Sequence, residues 1–232
     1  MVLTKSDIER INEDLRRVYV TMMPRIRQHF PIKEGYSYPQ LLEVPLSACS
    51  WRKRLMIVGQ QPFGWSGGPN TSWDNDESEV DALLNLYRKF DLGGHYRATP
   101  FWSFSHKIAA QINESEKSFL WSNLLKVDKD GQRVEPVEED QLKSIGLLAE
   151  EIEIIHPDVI LFFTGPDYDS VLCKHLAVTL DERGNRLMSE VKGFQFGTLA
   201  LRTYHPMYLR LAKVEGSVLD QIMQRVRDLS LS

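Results

Sequence analysis

The chain has 232 residues, 42% hydrophobic and 26% charged, which excludes a disordered chain and leaves enough apolar material for a real core. A net charge of −4 excludes a surface that is basic throughout, and two cysteines, Cys49 and Cys173, exclude a disulfide framework or a four-thiolate metal site. No apolar run reaches the ~18 residues of a membrane helix. The opening MVLTKSDIERINEDL lacks the apolar stretch of a signal peptide, so a cytoplasmic, membrane-free protein is expected.

The charge is unevenly spread. Residues 1–60 carry +4, residues 61–170 carry −11 and residues 171–232 carry +3. The acidic excess in EPVEEDQLKSIGLLAEEIE reads as a solvated helix face, and charge alone names no partner.

No repeat, low-complexity tract or Ser/Gly linker divides the chain, so residues 1–232 are read as one domain with an N-terminal helical segment of about residues 1–30. A Ser–Asp cap signal opens that segment, Ile8, Ile11, Leu15 and Val18 share one helical face, and Pro24 should kink or end it. Four apolar runs follow, at Leu55–Val58, Leu120–Val127, Val159–Thr164 and Thr198–Thr203. Helical patterns accompany them at Ser78–Phe90, Trp102–Ile112, Val137–Ile155, Asp167–Leu176 and Gly216–Leu229. Strands alternating with helices predict a three-layer α/β/α fold around a central four-stranded parallel sheet. DERGN marks an additional hairpin within residues 177–192.

In such a sheet, ligands bind where the strands end. The four exits read GQQPFG (Gly59–Gly64), Asn123 within its strand, TGPDY (Thr164–Tyr168) and YHPMYLR (Tyr204–Arg210). Three are Gly/Pro turns, which bring backbone amides close to a ligand, and together the exits offer Asn, Gln and His.

These motifs, in this order and spacing over roughly residues 54–211, resemble the uracil-DNA glycosylase superfamily. LMIVGQQPFG resembles the motif Gly-Gln-Asp-Pro-Tyr of its best-known branch. WSNLLKV resembles the strand whose Asn reads the base, ILFFTGPDYDSVL the phosphate-holding turn, and TYHPMYLR the final His-Pro-Ser with its inserting loop. The resemblance implies a glycosylase acting on DNA without metal or other cofactor, as a monomer. Its substrate would be a damaged or modified base, uracil by default or a modified pyrimidine, swung out of the stack into a pocket.

Carried onto this chain, the resemblance makes His205 the donor to the base O2, Asn123 the reader of the pyrimidine edge, and Gln61 the holder of a water. Gly59, Gln60 and Phe63 would line the base pocket. Phe101, or second Phe104, would stack on the base. Gly165 and Pro166 would hold phosphate, and Met207, Tyr208 and Leu209 would form a wedge followed by Arg210, with Lys213 beyond it, on phosphates. The departures are Gln61 for Asp, Phe63 for Tyr and Met207 for Ser. Gln61 cannot take a proton, and the pliable Gly64–Gly68 loop beside Phe63 makes room for a modified pyrimidine. One version is a defence enzyme that excises glucosylated hydroxymethylcytosine from phage DNA.

Two other classes compete. A catalytically weak DNA-binding scaffold is favoured by Gln61. A serine hydrolase is suggested by Gly64-Trp65-Ser66-Gly67-Gly68, which fits G-x-S-x-G but lies five residues beyond its strand with no helix directly behind. The six histidines show no metal-ligand spacing.

Overall fold

The computed structural model describes residues 3–65, 75–181, 187–195 and 197–229. The first helix, α1 (Lys5–His29), is capped by Thr4 rather than Ser6. The Thr4 hydroxyl accepts the Asp7 amide at 3.2 Å, and Asp7 accepts the Thr4 amide at 3.0 Å. Pro24 does not end this helix. The buried stripe Ile8, Ile11, Leu15, Tyr19, Met23 and Ile26 continues past it. That packing offsets the ~3 kcal/mol a mid-helix proline costs.

The remaining elements are β1 (Leu55–Gly59), α2 (Asp76–Phe90), α3 (Pro100–Asn113), β2 (Leu120–Asn123), α4 (Pro136–Ile145), α5 (Leu147–Ile155), β3 (Val159–Phe162), α6 (Asp169–Leu176), β4 (Thr179–Asp181), β5 (Met188–Lys192), β6 (Leu199–Thr203), α7 (Pro206–Leu211) and α8 (Glu215–Leu229). The expected Val137–Ile155 helix is two helices. Gly146, at φ 73°, takes the left-handed conformation that closes α4 before α5 starts.

The fold is α/β, but its sheet is not the expected four-stranded one. Among the described residues it has six strands in the order β2-β1-β3-β6-β5-β4. β2, β1, β3 and β6 are parallel, and the expected hairpin adds β5 and β4 antiparallel at the β6 edge. Most of the hairpin's turn signal lies outside the described residues. β1, β3 and β6 are buried at every position, which explains the unbroken apolar runs of β1 and β3; in β6, Arg202 is buried on Asp169 and Ser189. β2 stops at Asn123, short of the expected Val127. The Leu124 and Leu125 amides donate to the successive carbonyls of Gly59 and Gln60, a bend rather than the alternation a strand requires.

The helices form two packed groups. In one, α1 packs with α2, α4 and α5, and α6 packs against α4 and α5; in the other, α3 packs with α7 and α8. The acidic stretch is not simply a solvated face. Glu151 is fully buried and Glu138 and Glu139 nearly so, because each meets an inward partner. These are Lys126 for Glu151, the Tyr36 hydroxyl for Glu138 and Arg133 for Glu139. Among the described residues, no helix is long and apolar enough to cross a membrane.

Candidate functional site

The parallel register brings the four exits to one end of the sheet. Gly59 stands opposite Asn123, and Val58 opposite Phe162, which in turn pairs with Arg202. Strand order reverses between β1 and β3, the switch point where open α/β sheets leave a crevice. Gln60 spans that point, its Nε2 donating to the Thr164 carbonyl at 2.8 Å.

Gly59 is a glycine for a steric reason. A Cβ there would collide with Asn123 Oδ1 and lie 3.4 Å from the Phe101 ring. The Asn123 side chain therefore folds over bare backbone, with Phe101 beside it. Asn123 is 2% exposed, and its Nδ2 has no hydrogen-bond partner among the described residues. An unmet buried donor costs about 1–3 kcal/mol, which a ligand acceptor would recover.

Phe101 lies in the first turn of α3. Next to it Trp102 is wedged among Trp121 at 4.9 Å and Phe90 at 5.3 Å, which fixes the helix end. Phe101 meets Phe163 edge-on and stacks on the His205 ring at 5.8 Å and 26°. Phe104 is fully buried against Phe163 and belongs to the core, so it is not a pocket aromatic.

His205 caps α7 between β6 and Pro206. Its Nδ1 accepts the Met207 amide at 3.2 Å, which leaves the ring proton on Nε2. Burial lowers the imidazole pKa below its ordinary value, so the ring is neutral at pH 7 with Nε2–H as its donor.

The other predicted residues divide. The Gln61 carbonyl oxygen accepts from the Tyr168 hydroxyl. Phe63 is 87% exposed beside Gly131, outside the Gly59–Asn123–Phe101–His205 cluster. Its loop is tied down by buried Asp128, which accepts the Gly64 and Gly131 amides at 2.9 and 2.7 Å. Gly165, at φ 72° and ψ 170°, occupies a region nearly exclusive to glycine. Its amide donates to the Thr203 carbonyl at 3.0 Å, so it is spent within the fold and does not serve a phosphate. Pro166 is exposed.

On α7, Met207 and Tyr208 are about half exposed, and Tyr208 stacks on Tyr204 at 4.2 Å. Leu209 is fully buried and anchors the helix, so it cannot be a wedge. The exposed leucine is Leu211, at 75%. Arg210 lies 3.5 Å from both Glu215 and the Ala98 carbonyl. Ser66, Gly67 and Gly68 of the G-x-S-x-G stretch lie outside the described residues.

With known proteins the comparison is short. The chain matches no family model and no curated protein.

Among the described residues, no group of three or more His, Cys, Asp or Glu could hold a metal ion. Three residues at the same end of the sheet were given no role by the sequence. Thr164 is fully buried with its hydroxyl unpartnered, Tyr168 grips Gln61, and Leu211 takes the exposed place expected of Leu209. Thr164 and Tyr168 stand within TGPDY, but the side chains that meet the Thr164 carbonyl and the Tyr168 hydroxyl, Gln60 and Gln61, lie in GQQPFG.

Proposed function

We propose that the chain is a DNA glycosylase of the uracil-DNA glycosylase kind, with the sheet as the middle of three α/β/α layers, and that it hydrolyses the N-glycosidic bond of a flipped-out damaged or modified base. The observation that carries this reading is the unpartnered Asn123 Nδ2, buried beside bare Gly59 and bridged through Phe101 to a neutral His205. Breaking the bond leaves its electron pair on the base nitrogen and positive charge on the sugar, which water then attacks at the anomeric carbon. Asn123 donates to an oxygen on the base edge, and His205 Nε2–H donates to the base oxygen where negative charge develops. Neutral donors held in place suit a transient oxyanion better than groups that must reorganise. Phe101 supplies the aromatic wall, and Met207, Tyr208 and Leu211 form an apolar edge able to fill a vacated stack.

The chain acts on DNA through local cations, Arg210 and Lys213, since its net charge is negative. Phe63 standing out in solvent favours a base larger than uracil. Single-turnover assays on oligonucleotides carrying uracil, hypoxanthine, hydroxymethylcytosine or its glucosylated form test both points. Release of a free base leaves an alkali-labile site. Rapid release of uracil alone would remove the enlarged pocket, and binding without product from any of them would favour the second reading, a DNA-binding scaffold. The occupied carbonyl of Gln61 supports that alternative, because the position offers no carboxylate.

A further inference from the structure

Tyr168 is buried at the β3 exit, 6% exposed, in a turn closed by its own amide on the Gly165 carbonyl. The Arg133 guanidinium covers its ring at 4.2 Å. Arg133 is in turn held by Glu139 at 2.6 Å and by the Asp167 carbonyl at 3.2 Å. Burial raises the Tyr168 pKa, so the hydroxyl stays protonated and keeps one proton to place. It places that proton on Gln61 Oε1. Turning the amide over would take from the part-buried hydroxyl proton the one acceptor that the described residues give it, so one orientation of Gln61 is favoured. Its carbonyl faces Tyr168, and its NH2 is turned away.

We propose that Tyr168 is a positioning residue that presents Gln61 to the substrate as an N–H donor, not as an acceptor for the attacking water. This rests on the glycosylase reading and sharpens it. Asn123 Nδ2, His205 Nε2–H and Gln61 Nε2 then make three donors, so the site selects a substrate rich in oxygen acceptors around the scissile bond. A water receiving a hydrogen bond from Gln61 would gain no basicity from it.

Two variants test this. Gln61→Glu keeps the atom that Tyr168 grips and replaces the outward donor by an anionic acceptor. Single-turnover base release should fall by about tenfold or more, as for a lost donor to a charged or developing oxyanion. An unchanged or faster rate would overturn the proposal. Tyr168→Phe keeps the ring under Arg133 and frees the amide to turn, so its loss should be smaller, and it should be rescued in neither direction by pH. The contact itself is read without activity, from the titration of the carboxyl introduced at position 61, followed by NMR in Gln61→Glu and in the double variant that adds Tyr168→Phe. The hydroxyl should hold that carboxyl at the lower pKa, and equal values would sink the positioning role. If the wild-type chain releases no base while the two titrations differ, the glycosylase reading fails and the Tyr168–Gln61 contact stands.

Discussion

Ser122 and Asn123 are neighbours in β2 and point to opposite faces of the sheet, and their surroundings could hardly differ more. On the Ser122 side lies a closed polar network. Lys126 reaches Glu151 at 2.7 Å and Ser122 at 2.7 Å, Ser122 donates to Glu151 at 2.9 Å, and the Tyr19 hydroxyl donates to Glu151 at 3.0 Å. The Tyr19 oxygen also accepts the Leu42 amide. Burial pulls the Lys126 pKa down while Glu151 opposes it. The network joins α1, α5 and β2, and its members serve one another. On the Asn123 side, the amide nitrogen meets no partner among the described residues. Burial of a polar side chain therefore does not mark a site. A buried donor left unmet at a strand exit, beside bare backbone and an aromatic ring, is instead free to meet a ligand acceptor or a water.

The comparison breaks most visibly on the network side. Glu151→Ala leaves the Lys126 ammonium buried without its partner and should destabilise the fold by about 3–5 kcal/mol. Urea unfolding measures this, and activity per folded molecule should be unchanged. A stability loss below ~1 kcal/mol would show that the network is not structural.

The opposite pattern is expected across the sheet. Asn123→Ala and His205→Ala should each lose about 2–4 kcal/mol of transition-state stabilisation, seen as a fall in single-turnover rate. For Asn123→Ala the unfolding midpoint should hold or rise, since the truncation removes a buried donor that the described residues leave unmet. Full activity with the fold intact would take these residues out of the mechanism.

Leu209 and Leu211 sharpen the distinction on a single helix. Leu209→Ala should cost about 2–5 kcal/mol of stability as a buried truncation. Leu211→Ala, at an exposed position, should stay within ~0.5 kcal/mol in stability but weaken binding to DNA. Reversed outcomes would mean that the exposed edge of α7 does not face the nucleic acid.

The smallest effect is a titration. The His205 folded-state pKa lies below its unfolded value, so the unfolded chain takes up the proton first as pH falls. Stability from this residue is complete above the unfolded value near 6.5 and is lost as pH drops from there towards the depressed folded pKa. His106 and His175 are also lowered by burial and add to the same slope. NMR of the imidazole resonances should place His205 below 6.5 with its neutral proton on Nε2.

Much of this was legible in the residues. The unbroken apolar runs of β1 and β3 identify buried parallel strands, and parallel strands deliver their exits to one end whatever the loops do. That is why the sequence places Gly59, Asn123 and His205 at one end of the sheet. Gly146 ending a helix was equally open to a local rule, although the longer periodicity masked it.

What lay beyond the sequence were choices between equivalent neighbours and partners far apart in the chain. Phe101 and Phe104 sit three residues apart on one helix, and periodicity cannot say which meets His205 and which fills the core against Phe163. Leu209 and Leu211 differ only in which way a short helix is rolled against its neighbours. The orientation of Gln61 depends on a hydroxyl 107 positions away, and the lone Asn123 donor on what the rest of the fold does not supply. Local residue chemistry determines which elements form and in what order. Which polar atoms are satisfied and which are left for a ligand is decided only when distant segments pack, because hydrogen bonding in the interior is settled over the whole neighbourhood and not along the chain.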